Sequence, residues 1–376
     1  MKILQISSAR VQYPGGTEKV VWELSKFLVK QGHEVTILQT DLYEKGIDFK
    51  KVEKKEGVKI ITCKNDRFLG GFGYSKEFRE KLKEVWKNYD LVHIHGHGRF
   101  TSNYSLKFLK KKIPIIYTAH GFFHSKKAST MKQIHDKLFG KLLKNASFCT
   151  ALTKIEKEKY IQLGVSEKCI KIIPNWIDLE KFKFGKINKK KGLEKYGLEN
   201  KKTLLYVGRI HESKGIQYVI EAIKDIDINF LIVGRDAGFS KELTKKINEL
   251  GLSKRVKLLG GVDDKKLMEM YALTDTSVLF SSWEGFGIVI LEAMASGLPV
   301  IVSDRGALPT LIKNKENGLI AKFPDVEELE RQIKLLFEDK KLFNKIKKNG
   351  LAFVKNFKYS KIAKQYEELY EKTVKG

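Results

Sequence analysis

The sequence predicts an α/β protein built from two doubly wound parallel sheets, and three observations carry that expectation. Short apolar runs of strand type alternate with amphipathic helical runs from one end of the chain to the other. The first strand of each half, Lys2–Ser7 and Thr203–Val207, runs through a glycine-bearing loop into a helix. That is the start of a doubly wound sheet, whose ligand sits beyond the C-terminal ends of the strands. Between the halves, residues 181–202 are rich in Lys, Gly and Asn and weakly periodic, as a linker is. The length of 376 residues fits two domains at roughly 100–200 residues each. The expected organisation is therefore a first domain over 1–180, a linker over 181–202 and a second domain over 203–357.

In the first half, Lys2–Ser7 reads as a buried strand and Tyr13–Glu18 as a glycine turn. Thr17–Gln31 reads as a helix with Val20, Val21, Leu24, Phe27 and Leu28 on one face and Gly32 as its stop. Glu34–Thr40 is the next strand, and the dinucleotide spacing G-x-G-x-x-G is absent. Gly15 and Gly16 would let backbone approach a phosphate or sugar; the alternative is a tight turn that needs positive φ. Val58–Thr62 is a strand, and Ser75–Lys87 an amphipathic helix with Phe78, Leu82, Val85 and Trp86 inward. Leu91–His95, Ile113–Ala119, Phe148–Thr153 and Ile170–Pro174 supply further strands. Two of them run into histidine, at His95-Gly96-His97 and His120-Gly121, on the ligand side of the sheet. His120 is the candidate hydrogen-bonding group there; the alternative is a strand-end histidine satisfied by backbone. His93, His95 and His97 alternate along one strand face, but no carboxylate joins them at metal-ligand spacing, so no metal is expected.

The second half repeats the rhythm. Thr203–Val207 leads into Gly208–Gly215 and the helix Ile216–Lys224, which puts Arg209 and Lys214 on the first ligand-side loop. Two cations there can neutralise a diphosphate. Asn229–Val233, Val256–Leu259, Thr276–Phe280, Leu298–Val302 and Leu319–Phe323 are strands. Helices are expected over Ser240–Leu250, Lys265–Leu273, Ile288–Ser296, Val326–Glu338, Lys341–Lys355 and Ser360–Lys372. Asp225-Ile-Asp227 imitates a metal motif but precedes the strand Asn229–Val233, at the end of the sheet opposite the ligand.

The richest stretch is Ser282–Val300 (SWEGFGIVILEAMASGLPV). It reads strand end, glycine turn, helix, stop, strand. The first helical turn has amides without intrahelical partners, which attract phosphate. Glu284 and Glu292 bracket that helix start. A carboxylate repels phosphate, so the two acids are expected to face hydroxyl groups, and one ligand carrying both a diphosphate and sugars satisfies both features. The alternative is an ordinary early-helix acid at Glu292 and a solvated loop acid at Glu284.

Composition excludes several classes. Charged residues are 31% and hydrophobic residues 42%, which fits a globular chain rather than a disordered one. Cys63, Cys149 and Cys169 are odd in number and lack ligand spacing, which points to a reducing, cytoplasmic compartment without disulfides or zinc. The first residues are too polar for a signal peptide, and the longest apolar run, Phe286–Val302, is interrupted by Glu292 and Gly-Leu-Pro. Net charge is +27, and Met1–Trp176 holds 34 Lys+Arg against 17 Asp+Glu. The densest part, Arg99–Lys144, has 11 basic residues and one acid, Asp136. An anionic membrane surface, a phosphorylated acceptor and a merely lysine-rich solvated face all fit such a run.

Pro14-Gly-Gly-Thr-Glu18, His120-Gly121, Pro174-Asn175…Asp178, Gly208-Arg209…Lys214-Gly215 and Glu284-Gly-Phe-Gly-Ile-Val-Ile-Leu-Glu292 followed by Ala-Met-Ala-Ser-Gly-Leu-Pro together resemble the retaining group 1, glycogen-synthase-like, glycosyltransferases of family 4. The resemblance covers essentially the whole chain. It implies the GT-B architecture, two Rossmann-like domains facing across a cleft, with the segment 358–376 completing the first domain. It implies transfer of a hexosyl unit from a UDP-, GDP- or ADP-linked sugar to a hydroxyl acceptor, with retention and without a metal or resident cofactor. A lipid-linked or cell-envelope glycan is the acceptor class that suits the basic first half.

By the same resemblance Glu292 accepts from ribose hydroxyls and Glu284 lies by the donor sugar. Gly285, Phe286, Gly287, Ile288 and Val289 line the sugar and phosphates, Arg209 and Lys214 clamp the diphosphate, and Val262 lies by the base. Gly15 and Gly16 approach the phosphate side and His120 touches the sugar. Trp176 stands where a glycine is usual, Thr310 replaces an acid, and Gly234–Gly238 is looser than the usual turn, which leaves donor identity and linker geometry open. The rivals are a nucleotide-sugar epimerase of the same architecture and a basic nucleic-acid-binding protein. For the latter no aromatic-basic reading motif is present, so no specific nucleic acid is expected.

Overall fold

The computed structural model describes residues 1–12, 15–42, 50–69, 72–122, 136, 140–183, 185 and 187–376. Tyr13 and Pro14 of the glycine turn, most of 123–139 in the basic segment, and positions 184 and 186 of the linker stretch lie outside the described residues. The chain divides into two units, Met1–Asn175 with Ser360–Gly376, and Trp176–Tyr359. Residues 181–202 fall in the second unit and carry a short helix, Lys189–Glu194, whose Gly192 and Leu193 are buried.

The first unit is built on strands β1 (Lys2–Ile6), β2 (Glu34–Thr40), β3 (Val52–Lys55), β4 (Val58–Cys63), a small hairpin β5 (Arg67–Leu69) and β6 (Phe72–Tyr74), then β7 (Leu91–His95), β8 (Ile115–Thr118), β9 (Phe148–Ala151) and β10 (Ile170–Ile172). Eight of these form one sheet in the order β10-β9-β8-β7-β1-β2-β4-β3. All pairs are parallel except β3 with β4. The chain moves outward from β1 through β2 to β4, then returns to β7 on the other side of β1. A parallel sheet covered on both faces buries its strands completely. Ile3, Leu4, Ile6, Ile94 and Ile115 accordingly have no exposed surface, each contributing roughly 1.5–3 kcal/mol by burial. The last helix, Tyr359–Lys375, packs Ile362, Ala363, Tyr366, Leu369 and Tyr370 inward at helical spacing. Tyr370 reaches Gln5 on β1 and His93 on β7.

The second unit has six parallel strands, β11 (Thr203–Val207), β12 (Asn229–Val233), β13 (Val256–Gly260), β14 (Thr276–Leu279), β15 (Val300–Ser303) and β16 (Leu319–Ala321). Their order is β13-β12-β11-β14-β15-β16. The strand order reverses between β11 and β14, which pair Leu204 with Thr276 and Leu205 with Ser277. That switch point is where a doubly wound sheet opens a crevice for ligands. Asp225 and Asp227 lie before β12, where Asp227 takes an ion pair from Lys201 at 2.8 Å.

Several elements depart from the sequence expectation. The helix Ser75–Lys87 is α-helical only over Lys76–Val85 and ends in a tighter turn, Trp86–Asn88. Helices at Phe100–Phe108 and Lys154–Gln162 were not anticipated. They bury Thr101, Ser102 and Ser105, and Glu156 and Tyr160, respectively. Their inward faces mix polar side chains with apolar ones such as Leu106 and Tyr160, which blurs the apolar period.

Gly215 is required by a close approach at the β11/β14 switch point. Gly215 ends the loop after β11 at φ +68, and a Cβ there would lie 2.0 Å from the Phe280 carbonyl oxygen after β14. Gly251 has a similar φ of +66 with open space around it. Gly251→Ala should cost about 1 kcal/mol, the backbone penalty alone. Gly215→Ala should cost at least about 2 kcal/mol more, because two backbones must separate. Urea melts of both variants measure the difference, and equal losses would refute the close contact.

Candidate active site

The second unit's site is assembled by two neighbouring loops. After β11, Gly208–Gly215 carries Arg209 and a single tight turn, Glu212–Lys214, capped by His211 Nδ1, which accepts from the Ser213 amide at 3.1 Å. After β14, Phe280–Gly287 carries Glu284 and ends in the helix Ile288–Ala295. The loops are tied by the Ser213 carbonyl, which accepts from both the amide and the hydroxyl of Ser282, at 2.8 and 3.1 Å. A third segment joins when the Ala307 amide donates to the Glu284 carbonyl at 2.9 Å.

These ties bring Lys214 Nζ to 2.5 Å from Glu284 Oε1, with 14% and 16% of the two side chains exposed. Ser281 Oγ donates to the same oxygen at 2.9 Å. Among the described residues Oε2 accepts no hydrogen bond, so the carboxylate keeps a second acceptor. The sequence reading gave Lys214 and Glu284 separate roles; the structure makes them one half-buried ion pair. Arg209 is exposed and its guanidinium has no carboxylate partner among the described residues. Its carbonyl is held by the Tyr206 hydroxyl at 2.8 Å.

The remaining candidates of the second unit lie on the loops and helix that follow its strands. The helix Ile288–Ala295 opens at Gly287, and Ile288 and Val289 are its first, half-buried positions. Gly285 is half-buried in the loop before it. The Phe286 ring is buried against Phe357 at a centroid distance of 6.1 Å, so only its backbone can meet a ligand. Glu292 is 4% exposed and accepts from the Tyr271 hydroxyl at 3.0 Å. Val262 is half-buried in the loop after β13, just before Asp263 caps the next helix. The loose turn Gly234–Gly238 is organised by Asp236, whose Oδ1 accepts from the amides of Gly238, Phe239 and Ser240. Those donors hold its carboxyl below the usual range. Trp176 is buried beside Tyr359, and Thr310 Oγ1 donates to the Ala307 carbonyl.

In the first unit, Gly15 caps the helix Gly16–Lys30 in an extended conformation, so the tight-turn alternative does not apply there. His120 adopts φ +56, a left-handed conformation that is costly for a residue with a side chain. Buried Glu156 holds the turn that does this, accepting from the Gly121 amide at 2.8 Å and the Leu152 amide at 2.5 Å. The His120 ring lies against His95, with Nε2 2.8 Å from His95 Nδ1. His93 and His95 bond to Tyr370, Thr118, Gln5 and His120, not to a common point. Among the described residues no group of three or more His, Cys, Asp or Glu is placed to hold a metal. Sequence reasoning missed Ser281, Tyr206, Tyr271, Gln5 and Glu156; the last sits at the i+3 position of a helix cap after Thr153, a signal that could have found it.

Burial sets the pH response of this unit. It holds His93 and His95 well below the ordinary imidazole range, with neighbouring histidines adding to the effect, and holds His120 down at about 3. Below about pH 6.5 the unfolded chain therefore takes up protons at His93 and His95 that the native chain refuses. Glu156 works oppositely: burial lifts it to about 7, so the native chain binds a proton that the unfolded carboxylate gains only near pH 4.5. Between those limits three imidazoles against one carboxyl leave two protons more on the unfolded state, or up to about 2.7 kcal/mol of stability lost per pH unit as the pH falls. Urea melts at pH 7, 6 and 5 should show this decline, steepest below pH 6; a flat or rising profile would contradict it.

Comparison with known proteins identifies the family. Residues 188–353 match the model described as glycosyl transferases group 1, and residues 14–181 match that of glycosyltransferase family 4. The chain is 32% identical over 302 residues to an Escherichia coli UDP-Gal:alpha-D-GlcNAc-diphosphoundecaprenol alpha-1,3-galactosyltransferase, covering 76% of each chain. It is 27% identical over 373 residues to the N-acetyl-alpha-D-glucosaminyl L-malate synthase of Bacillus anthracis, covering 95% of this chain and 94% of that one. Among solved structures, Anabaena HepE in complex with UDP and glucose shares the fold at a TM-score of 0.81 and 22% identity, over 99% of this chain and 100% of that one. No described helix is long and apolar enough to cross a membrane. With both sheets and both halves accounted for, the chain belongs to the group 1, family 4 glycosyltransferases, a retaining family of GT-B architecture that transfers a sugar from a nucleotide sugar.

Proposed function

We propose that this protein moves a hexosyl unit from a UDP-hexose to a hydroxyl of a diphosphate-linked lipid glycan, retaining the anomeric configuration. UDP is favoured because a 32% identical relative is named for UDP-Gal and HepE was solved with UDP and glucose. The same relative is named for a diphosphoundecaprenol acceptor. An anionic, membrane-borne acceptor suits a first half with 34 basic against 17 acidic residues, and the same charge supports a location at the cytoplasmic membrane face.

The observation that carries the reading is the Lys214–Glu284 pair at the β11/β14 switch point. A carboxylate near a diphosphate is repulsive by itself. Paired to Lys214, Glu284 sits near the phosphates without net repulsion and turns Oε2 toward a sugar hydroxyl. Lys214, Arg209 and the amides of Ile288 and Val289 then meet the charge that gathers on the leaving diphosphate. One such donor is worth ~3 kcal/mol in transfer rate. Glu292 accepts from the ribose, Gly285–Gly287 and Val262 border the sugar and base, Gly15 and Gly16 offer backbone to the phosphate side, and His120 bonds a donor-sugar hydroxyl.

The first test is a thermal-shift series with UDP-, GDP- and ADP-hexoses, in which a UDP-hexose should raise the melting temperature most. NMR of the product formed with a diphosphate-linked acceptor should show the donor's anomeric configuration. An epimerised donor in the absence of acceptor would favour the epimerase reading instead. The pair is tested separately. Lys214→Ala should lower kcat about 10²–10³-fold and weaken donor binding, because Glu284 is left unscreened. Adding Glu284→Gln should restore much of the lost donor affinity without restoring kcat. Calorimetric titration of the single and double variants reads this, and a double variant binding donor no better than Lys214→Ala would rule out a Glu284 beside the diphosphate.

A further inference from the structure

A continuous chain of buried hydrogen bonds runs beneath His120 to the last helix. His120 Nε2 meets His95 Nδ1 at 2.8 Å, and His95 Nε2 meets Gln5 Oε1 at 2.6 Å. Gln5 Nε2 meets the Tyr370 hydroxyl at 3.1 Å, and that hydroxyl meets His93 Nδ1 at 2.5 Å. His93 Nε2 meets Thr118 Oγ1 at 2.7 Å, and Thr118 bonds Thr150. Gln5, His93, Thr118, Thr150 and Tyr370 have no exposed surface and His95 has 2%. Only His120, at the end of the chain, is partly exposed.

Each link needs one proton and one lone pair, and each neutral imidazole has one of each. The Gln5 carbonyl oxygen can only accept, so His95 Nε2 carries a proton and His95 Nδ1 is bare. His120 Nε2 must then carry a proton, and His120 Nδ1 is left bare. On the other side Gln5 Nε2 donates to the Tyr370 oxygen, Tyr370 donates to His93 Nδ1, and His93 Nε2 donates to Thr118. Turning the Gln5 amide over reverses every link together and leaves His120 Nδ1 protonated. Between Gln5 and His120 no mixed arrangement avoids two protons or two lone pairs facing each other; at Tyr370, whose oxygen can accept from both Gln5 Nε2 and His93 Nδ1, a mixed arrangement instead turns the hydroxyl proton away from His93.

We propose that Gln5, His95 and Tyr370 are positioning residues that fix the tautomer of His120, and thereby set its outer ring nitrogen, Nδ1, as the hydrogen-bond partner of a donor-sugar hydroxyl. The role assigned to His120 rests on the transferase reading above; the fixed tautomer does not. Among the described residues Nδ1 has no partner of its own. The chain therefore couples the last helix, 250 residues beyond His120 at Tyr370, to the group that meets the sugar.

The test has two readouts on the full-length protein. Histidine-selective 15N NMR distinguishes protonated from bare ring nitrogens, and His120 is assigned by its loss in His120→Ala. Wild type should show His120 as a single tautomer. Gln5→Met, which keeps length and removes both polar atoms, should give a mixture. In transfer kinetics Gln5→Met should lower kcat/KM about ten-fold, as supporting partners of a functional histidine do. In the His120→Ala background the same substitution should change it by no more than about two-fold. If Gln5→Met does not fold, Tyr370→Phe removes one hydroxyl and carries both readouts. An unchanged His120 tautomer, or effects that multiply in full across the two backgrounds, would overturn the proposal. A protein that shows the tautomer switch but no sugar transfer would instead sink the transferase reading of His120 and leave the tautomer control standing.

Discussion

The constraint on which the second unit's site depends is the ion pair between Lys214 and Glu284. It exists because β11 and β14 are sheet neighbours although Ser213 and Ser282, on the loops that follow them, are 69 residues apart in the chain, so the two loops leave the sheet side by side. The Ser213 carbonyl then locks one loop to the other through Ser282, and Gly215 lets the Phe280 backbone come close. Neither charge is fully hidden, and the pair is supported by Ser281. A half-buried charge stripped of its partner is costly, so the pair ties the two loops together.

Much of this was legible in the sequence. The strand–glycine loop–helix rhythm gave both sheets, because parallel strands must be short, apolar and joined by helical crossovers. Glu284, Arg209 and Lys214 could be placed on ligand-side loops, and Glu292 on the helix after one of them, from the strand–loop–helix rhythm. The pairing of Lys214 with Glu284 could not, because it depends on which strands are neighbours across the reversal between β11 and β14. Phe286 illustrates the same gap: its position in the loop was visible, but that its ring turns inward to Phe357 was not. The helix Lys154–Gln162 escaped because its inward face is Glu156 and Tyr160, and the edge strand β3 because it exposes most of its side chains.

The first unit shows the converse case, a core layer that is polar where the pattern suggested plain strand ends. Gln5, His93, Thr118 and Thr150 are buried on adjacent strands and joined to Tyr370. Burying such groups is costly unless all are bonded. Here each is bonded to the next, so the layer specifies one arrangement of strands and last helix more narrowly than aliphatic side chains would. It ends at His120, which the Glu156-held turn keeps in a left-handed backbone conformation.

The central claim is that the second unit grips the diphosphate of a nucleotide sugar through Lys214, Arg209 and the helix start at Ile288. It is tested most directly by titrating wild type, Lys214→Ala and Arg209→Ala with UDP and, separately, with uridine. The account predicts that both variants lose affinity for UDP by about ten-fold or more, as removal of a charge-assisted bond does, while uridine binding is unchanged. Equal losses for uridine and UDP, or undiminished UDP binding in both variants, would contradict it.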